Sequence, residues 1–240
     1  MDVKEEAILG PAIKDHWYYV SKGRALRRFL GGEPVEEVLD VGAGSGVFTR
    51  QLLDFGLAQR GVCVDPAYGS ERVETHNGRE IAFVRGVDDV PQKLLLMMDV
   101  LEHVDDDIGL LRKYTDRMPS GGRVLITVPA FQFLWSGHDV FLEHRRRYTL
   151  SHIENAARRA GLRVLKGRYF FGALFPLAAA IRIRELLQLR SGKTDAKSQL
   201  KLAYSFVNNT LIRIHDVERV ALFPINRLAG LTAFCLAVRG

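Results

Sequence analysis

The chain has 240 residues, a net charge of +6, 47% apolar residues and 26% charged ones, the make-up of one well-buried globular domain with an elaboration. That excludes a disordered or collagen-like chain, and the longest apolar stretch, residues 169–181, is too short to span a bilayer and contains Pro176. Cys63 and Cys235 lie far apart in apolar runs and are expected as buried reduced thiols. With an acidic start, MDVKEEAILG, that resembles no signal peptide, a cytoplasmic location is expected.

In chain order, residues 15–30 read as helix, a cover over residues 1–34 that ends at the GGEP break. Short apolar runs then alternate with helical patterns. The expected strands are 36–41, 60–65, 80–85, 93–98 and 123–128, with helices over 46–58, 70–77, 105–118 and 150–160. Continuously apolar strands separated by helices predict a parallel sheet covered on both faces, hence an α/β, Rossmann-like doubly wound fold. Two more strands are expected at 162–170 and 231–238, and the stretch between them is long for a connection and reads as a helical insertion, residues 172–228.

In such a sheet, ligands sit beyond the carboxyl ends of the strands, at the reversal of strand order. The loop after the first strand, VLDVGAGSGVF, places Gly42, Gly44 and Gly46 in a G-x-G-x-G spacing, with valine at position 47. This is not the dinucleotide fingerprint, and the G-K-[ST] ending of a phosphate-binding P-loop is missing. Asp40 at the strand end would repel a pyrophosphate but suits a ligand with an ammonium group. Asp65, nineteen residues after Gly46 at the end of the second strand, is placed to accept two hydrogen bonds from a ribose diol. A ligand carrying both a ribose and an ammonium fits S-adenosylmethionine.

These motifs resemble those of the class I S-adenosylmethionine-dependent methyltransferases over residues 36 to about 170. VLDVGAGSG is similar to the family's first motif, and VCVDP, with Asp65 and Pro66, to its second. LLLMMDVLEHVDDD resembles the fourth-strand region of the ubiquinone/menaquinone-type small-molecule enzymes, and MPSGGRVLITVPA resembles the fifth-strand region. The resemblance implies a seven-stranded sheet of order 3-2-1-4-5-7-6 with strand seven antiparallel. It implies cofactor contacts from Asp40, Gly42, Ala43, Gly44, Gly46, Asp65, Pro66 and Met98. Gly86, Val87 and Asp88 are implied near the adenine, with valine where the family usually has a carboxylate. From the front helix, Trp17, Tyr18 and Lys22 are candidates to cover the cofactor.

The loop after strand five, residues 129–149, concentrates Trp135, His138, Asp139, His144, three arginines and Tyr148. His138, beside Asp139, or His144 is expected as general base for a hydroxyl acceptor. Trp135, Arg145, Tyr148 and His103 are expected around the substrate, since a guanidinium fork fits acceptor oxygens. The H-D-x4-H spacing is too unspecific to imply a metal, and none is expected.

Residues 172–240 hold ten Lys and Arg against four Asp and Glu, while the remainder is neutral with twenty-four of each sign. Leu200, Tyr204, Val207, Leu211 and Ile214 form one helical stripe in this basic part. The insertion therefore reads as a membrane-surface element, with a packed lid or a homodimer surface as the alternatives. The function expected is O-methylation of a small or lipid-like acceptor. A nucleic-acid methyltransferase is disfavoured because MDVLEH replaces the Asn/Asp-Pro-Pro-aromatic motif of base-modifying enzymes. A cofactor-binding module without turnover and a NAD-dependent dehydrogenase are the remaining readings.

Overall fold

The computed structural model describes residues 9–188 and 204–240. Helix α1 (Trp17–Leu30) precedes strand β1 (Val35–Val41), which is followed by α2 (Val47–Asp54), β2 (Ala58–Val64), β3 (Arg72–His76), β4 (Arg79–Val84) and β5 (Leu94–Met98). Next come α3 (Asp107–Thr115), β6 (Arg123–Pro129), α4 (Gly137–Phe141), α5 (Leu150–Arg159) and β7 (Leu162–Phe170). Helices α6 (Phe175–Gln188) and α7 (Ser205–Ala221) follow before the last strand, β8 (Thr232–Arg239).

The strands form one sheet of order β3-β4-β2-β1-β5-β6-β8-β7. Strands β4, β2, β1, β5 and β6 are parallel, and β8 runs antiparallel to both its neighbours. The seven expected strands thus lie in the expected order, and one further strand, β3, extends the edge. The stretch 70–77, expected as helix, contains this strand instead, Arg72–His76, paired antiparallel with β4. The physical reason is the Asn77–Gly78 pair, whose two positive φ angles, 49° and 77°, suit the tight hairpin turn that Asn-Gly favours.

Helices cover both faces. On one, Leu26 and Phe29 of α1 and Phe48 and Leu52 of α2 pack with Phe83 and Phe234 of the sheet. On the other, Leu111 of α3 and Ile153 and Ala157 of α5 pack on Leu95, Ile126 and Cys235. Both cysteines are buried and free, and burial raises the Cys235 thiol to about 12.

Helix α7 is turned inside out relative to an ordinary amphipathic helix. Its buried residues are polar: His215 bonds Glu218 at 3.0 Å, and Glu218 accepts the Gly172 N–H at 2.6 Å. Asn208 of the same helix accepts the Trp17 N–H at 2.8 Å and so fixes the start of α1. Its large apolar residues face solvent, with Phe206 81% and Val217 68% exposed. Of the predicted stripe, Leu200 lies outside the described residues, Tyr204, Val207 and Ile214 are exposed, and Leu211 is partly buried.

Candidate active site

Strand order reverses at β1, whose neighbours are β2 and β5, so the glycine loop after β1 and the turn after β5 face one crevice. Gly42, Gly44 and Gly46 have φ of 68°, 52° and 72°, values that L side chains rarely adopt. A Cβ on Gly42 would stand 2.7 Å from Val100, so the cradle has no room for a larger residue there. Asp40 is buried and accepts the Thr49 hydroxyl at 2.8 Å. Asp65 accepts the backbone N–H of Gly44 at 3.2 Å and of Ala67 at 2.9 Å. The second strand-end acid is therefore tied to the loop that follows the first. Tyr68 closes the loop from its far side by donating to the Gly44 carbonyl at 2.7 Å. This arrangement fits S-adenosylmethionine.

Pro66, Gly86 and Asp88 are exposed, Val87 is partly buried, and Ala43 is buried within the loop. Met98 is a different case. Its side chain is buried in the core, where its sulfur meets the Thr127 hydroxyl at 3.8 Å.

Asp99, directly after β5, takes a left-handed backbone conformation with φ 55°, the kind of local strain that concentrates at functional sites. Its carboxylate pairs with Lys22, whose side chain is wholly buried, and accepts from Tyr18 at 3.1 Å and Thr127 at 3.0 Å. Burial works to raise this carboxyl. The Lys22 ammonium and the hydrogen bonds from Lys22, Thr127 and Tyr18 outweigh it and hold Asp99 below the usual range. Three residues later, burial and then the nearby Asp99 charge push the Glu102 carboxyl well above its usual range.

A cavity of about 350 Å³ opens beside this network. Tyr18 and Phe48 bound it towards the glycine loop, and Leu174, Leu177 and Ile181 of the α6 region form an apolar wall. Its polar end holds Glu102, His138, His144 and Arg147. Asp139, fully buried, organises that end. It accepts from Ser136 in a capping box that starts α4, from Arg147 at 2.7 and 2.9 Å, and bonds His144 Nδ1 at 2.9 Å. Burial opposes ionisation of Asp139, yet His144 and Arg147 hold its carboxyl far below the usual range. Burial lowers His138 to about 4. Burial, followed by the neighbouring His144, lowers His103 to about 4.

Of the residues expected from sequence, Trp17, His138 and His144 line the cavity, and Asp139 stands behind them. Trp135, His103 and Arg145 do not line it. Arg145 is exposed and bound to Asp105 at 2.8 Å and to the His103 carbonyl at 2.9 Å. Tyr148 is buried in the core, its hydroxyl donating to Asp107 at 2.9 Å and to the Leu101 carbonyl at 3.1 Å. Of the three arginines in this loop, the one that reaches the cavity is Arg147, two places on from the one expected. Glu102 and the α6 wall had no sequence signal of their own, because neither burial nor the fold-back of α6 is visible in a spacing.

The family model described as "Methyltransferase domain" matches residues 15–166, and no curated protein matches the chain significantly. The fold is similar to that of an S-adenosylmethionine-dependent methyltransferase from Archaeoglobus fulgidus, with 15% identity, 98% of each chain covered and a TM-score of 0.53. It is also similar to Haemonchus contortus phosphoethanolamine N-methyltransferase 2 in complex with S-adenosyl-L-methionine, with 17% identity, 91% of this chain and 52% of that one covered, and a TM-score of 0.53. A chain of the complex between the Haloferax volcanii Trm112 methyltransferase activator and a methyltransferase gives 18% identity, coverage of 95% and 91%, and a TM-score of 0.53. With the family model spanning the glycine loop, both strand-end acids and most of the cavity's polar end, this chain belongs to the methyltransferase domain family and uses S-adenosylmethionine as its methyl donor.

Proposed function

We propose that this enzyme methylates an oxygen of a small, lipid-like acceptor held in the cavity beside the glycine loop. The observation that carries the reading is the cavity's polarity: an apolar wall from α6 on one side, and two imidazoles with a buried carboxyl at its polar end. The bound cofactor supplies an electrophilic methyl group on a sulfonium. Asp40 faces the ammonium of that ligand, Asp65 its ribose, and Gly86, Val87 and Asp88 the adenine. Trp17 and Tyr18 of α1 close the site against water. The α6 wall holds the acceptor's apolar body and the polar end orients its hydroxyl, so that one lone pair lies in line with the methyl carbon.

The acceptor's proton goes to one of the two imidazoles facing the cavity, His138 or His144. Asp139 does not itself exchange protons, because its partners keep it ionised; it fixes the His144 ring through Nδ1 and leaves Nε2 to the cavity. Alanine at the proton acceptor is expected to lower turnover by about 10²–10⁴-fold with S-adenosylhomocysteine affinity intact. Incubation with methyl-labelled cofactor and cell extract, split into lipid, small-molecule and nucleic-acid fractions, supplies the assay. Label confined to nucleic acid would overturn the lipid-like assignment, and full turnover in both single variants would remove the base.

The insertion supplies a route for such an acceptor. Leu177 and Ile181 line the cavity and are also 61% and 47% exposed, so one apolar surface runs from solvent into the site. The outward side of α7 adds exposed apolar residues, Phe206 and Val217 among them, in the part of the chain that carries the net positive charge. Basic groups near an anionic surface contribute about 1 kcal/mol each, and apolar burial adds to that. Salt-sensitive co-sedimentation with anionic lipid vesicles is therefore expected, weakened by Phe206→Ser. Protein that stays in the supernatant at low salt and sediments as a dimer by analytical ultracentrifugation would make this face a subunit interface.

A further inference from the structure

Among the described residues, Glu102 is a buried carboxyl that the fold leaves unsatisfied. It is completely buried, it lines the cavity, and neither carboxyl oxygen has a hydrogen-bond partner. A carboxylate in that position costs several kcal/mol unless something compensates it. The nearby cations are committed elsewhere: Lys22 to Asp99, Arg147 to Asp139, and Arg145 to Asp105. Beside Glu102 stands a pair of imidazoles. Ligand atoms of Glu102, His103 and His144 all fall within 4.8 Å of one another, and no other such group occurs among the described residues.

The two histidines present the right atoms. His103 Nε2 is buried with no hydrogen-bond partner. His144 is bound through Nδ1 to the buried Asp139 carboxylate at 2.9 Å, which fixes the tautomer that leaves Nε2 as an acceptor. A carboxylate behind an imidazole is the recurrent support of a metal-bound histidine. The rings of His103 and His144 meet edge to face with centroids 4.8 Å apart, so both nitrogens approach one region. The residues also come from two separate segments, the turn after β5 and the loop after β6, which the Arg145 N–H to Glu102 carbonyl bond, 2.7 Å, holds together.

We infer that Glu102, His103 and His144 form a binding site for one divalent first-row transition ion at the polar end of the acceptor cavity. Two imidazole nitrogens and one carboxylate oxygen suit Zn²⁺ or its neighbours better than Mg²⁺ or Ca²⁺. Ligands held at about 2.1 Å in a tetrahedron stand about 3.4 Å apart, so side-chain rotation of about an ångström closes the set. Three protein ligands leave a coordination position open towards the cavity.

This site deepens the reading of an oxygen acceptor and rests on it. An acceptor hydroxyl bound at the open position loses its proton more readily. That proton passes to His138, the imidazole outside the ligand set. The oxygen lone pair then forms the bond to the methyl carbon as the carbon–sulfur bond breaks, its electron pair going to sulfur. His144 thereby becomes a ligand, and the role of proton acceptor falls to His138 alone.

The test uses the full chain, stripped with a chelator and titrated with Zn²⁺ by calorimetry, with Co²⁺ absorption as a second probe. The expected result is one ion per chain and a Co²⁺ spectrum of low coordination number. Glu102→Gln and His103→Ala should each weaken binding at least a hundredfold, and Asp139→Asn about 10–100-fold. S-adenosylhomocysteine titration of the same samples reports whether each variant is folded. Wild-type protein that binds S-adenosylhomocysteine but takes up no stoichiometric Zn²⁺ or Co²⁺ overturns the metal site and leaves the methyl-transfer reading standing. Undiminished metal affinity in both folded variants overturns it equally. Failure to bind S-adenosylhomocysteine counts against the cofactor site instead.

Discussion

Asp99→Ala is expected to destabilise the protein by about 3–5 kcal/mol in urea unfolding, a large part of a typical domain stability of about 5–15 kcal/mol. The reason lies in the partner left behind. Lys22 is wholly buried, and its ammonium has two partners in this network, Asp99 and the Tyr18 hydroxyl. Removing the carboxylate leaves a desolvated cation with one neutral hydrogen bond, and it also frees the Thr127 hydroxyl. Replacing both charged residues together, Lys22→Met with Asp99→Asn, should recover much of the loss, because it removes the charge that needed compensation. The pH dependence has a definite sign. The Asp99 carboxyl lies below its usual range in the folded protein. The stability it contributes is thus fully present above its unfolded value, about 3.9, and is lost as pH falls through its lower folded value. The gap between wild type and Asp99→Asn should therefore shrink in acid. A constant gap down to the lowest pH at which both still fold would show that the pair is held by geometry and not by charge.

The same residue marks the boundary of what the sequence disclosed. The parallel sheet and its order followed from apolar runs and from motif resemblance, since a central strand such as β1 is buried on both faces and reads as a continuous apolar run. The glycine loop and the two strand-end acids were legible because close backbone approach demands glycine and a strand end demands a fixed place. The edge hairpin was lost because Arg72–His76 is polar and carries no strand pattern, although Asn77–Gly78 was the available signal. The loop after β6 does supply residues to the cavity, but its side chains could not be sorted from the sequence. Whether Arg145 or Arg147 points inward depends on which acid each meets, Asp105 or Asp139, and those pairings are tertiary. Tyr148 reads as a binding-site tyrosine in sequence and is a buried tether in three dimensions. Glu102 carries no signal of its own in the sequence. Its weight comes from complete burial without a partner, which no local pattern announces.

Asp65→Ala is expected to lower S-adenosylhomocysteine affinity at least tenfold, measured by calorimetry on protein whose thermal unfolding shows it to be folded. Two hydrogen bonds from a ribose diol to a carboxylate are worth about 1.5–3 kcal/mol each, and about 1.4 kcal/mol already corresponds to tenfold. The structure adds a second contribution. Asp65 also accepts the Gly44 N–H, so the alanine variant releases the loop that must stay in its left-handed conformation to leave room for the ligand. Asp65→Asn separates the two effects: its amide oxygen can still accept from Gly44, while the charge that strengthens the ribose bonds is gone. Affinity for the asparagine variant should fall between wild type and alanine. Methylthioadenosine, which keeps the ribose and lacks the ammonium, gives the matching control. It should lose affinity with Asp65→Ala as S-adenosylhomocysteine does, and lose little with Asp40→Asn, which faces the other end of the ligand. Equal loss of both ligands on Asp40→Asn would mean that Asp40 acts by shaping the loop through Thr49 and not by meeting the ammonium. Unchanged affinity in the folded Asp65→Ala protein would remove Asp65 from the ribose altogether, and the ligand would then have to be held by the glycine loop alone.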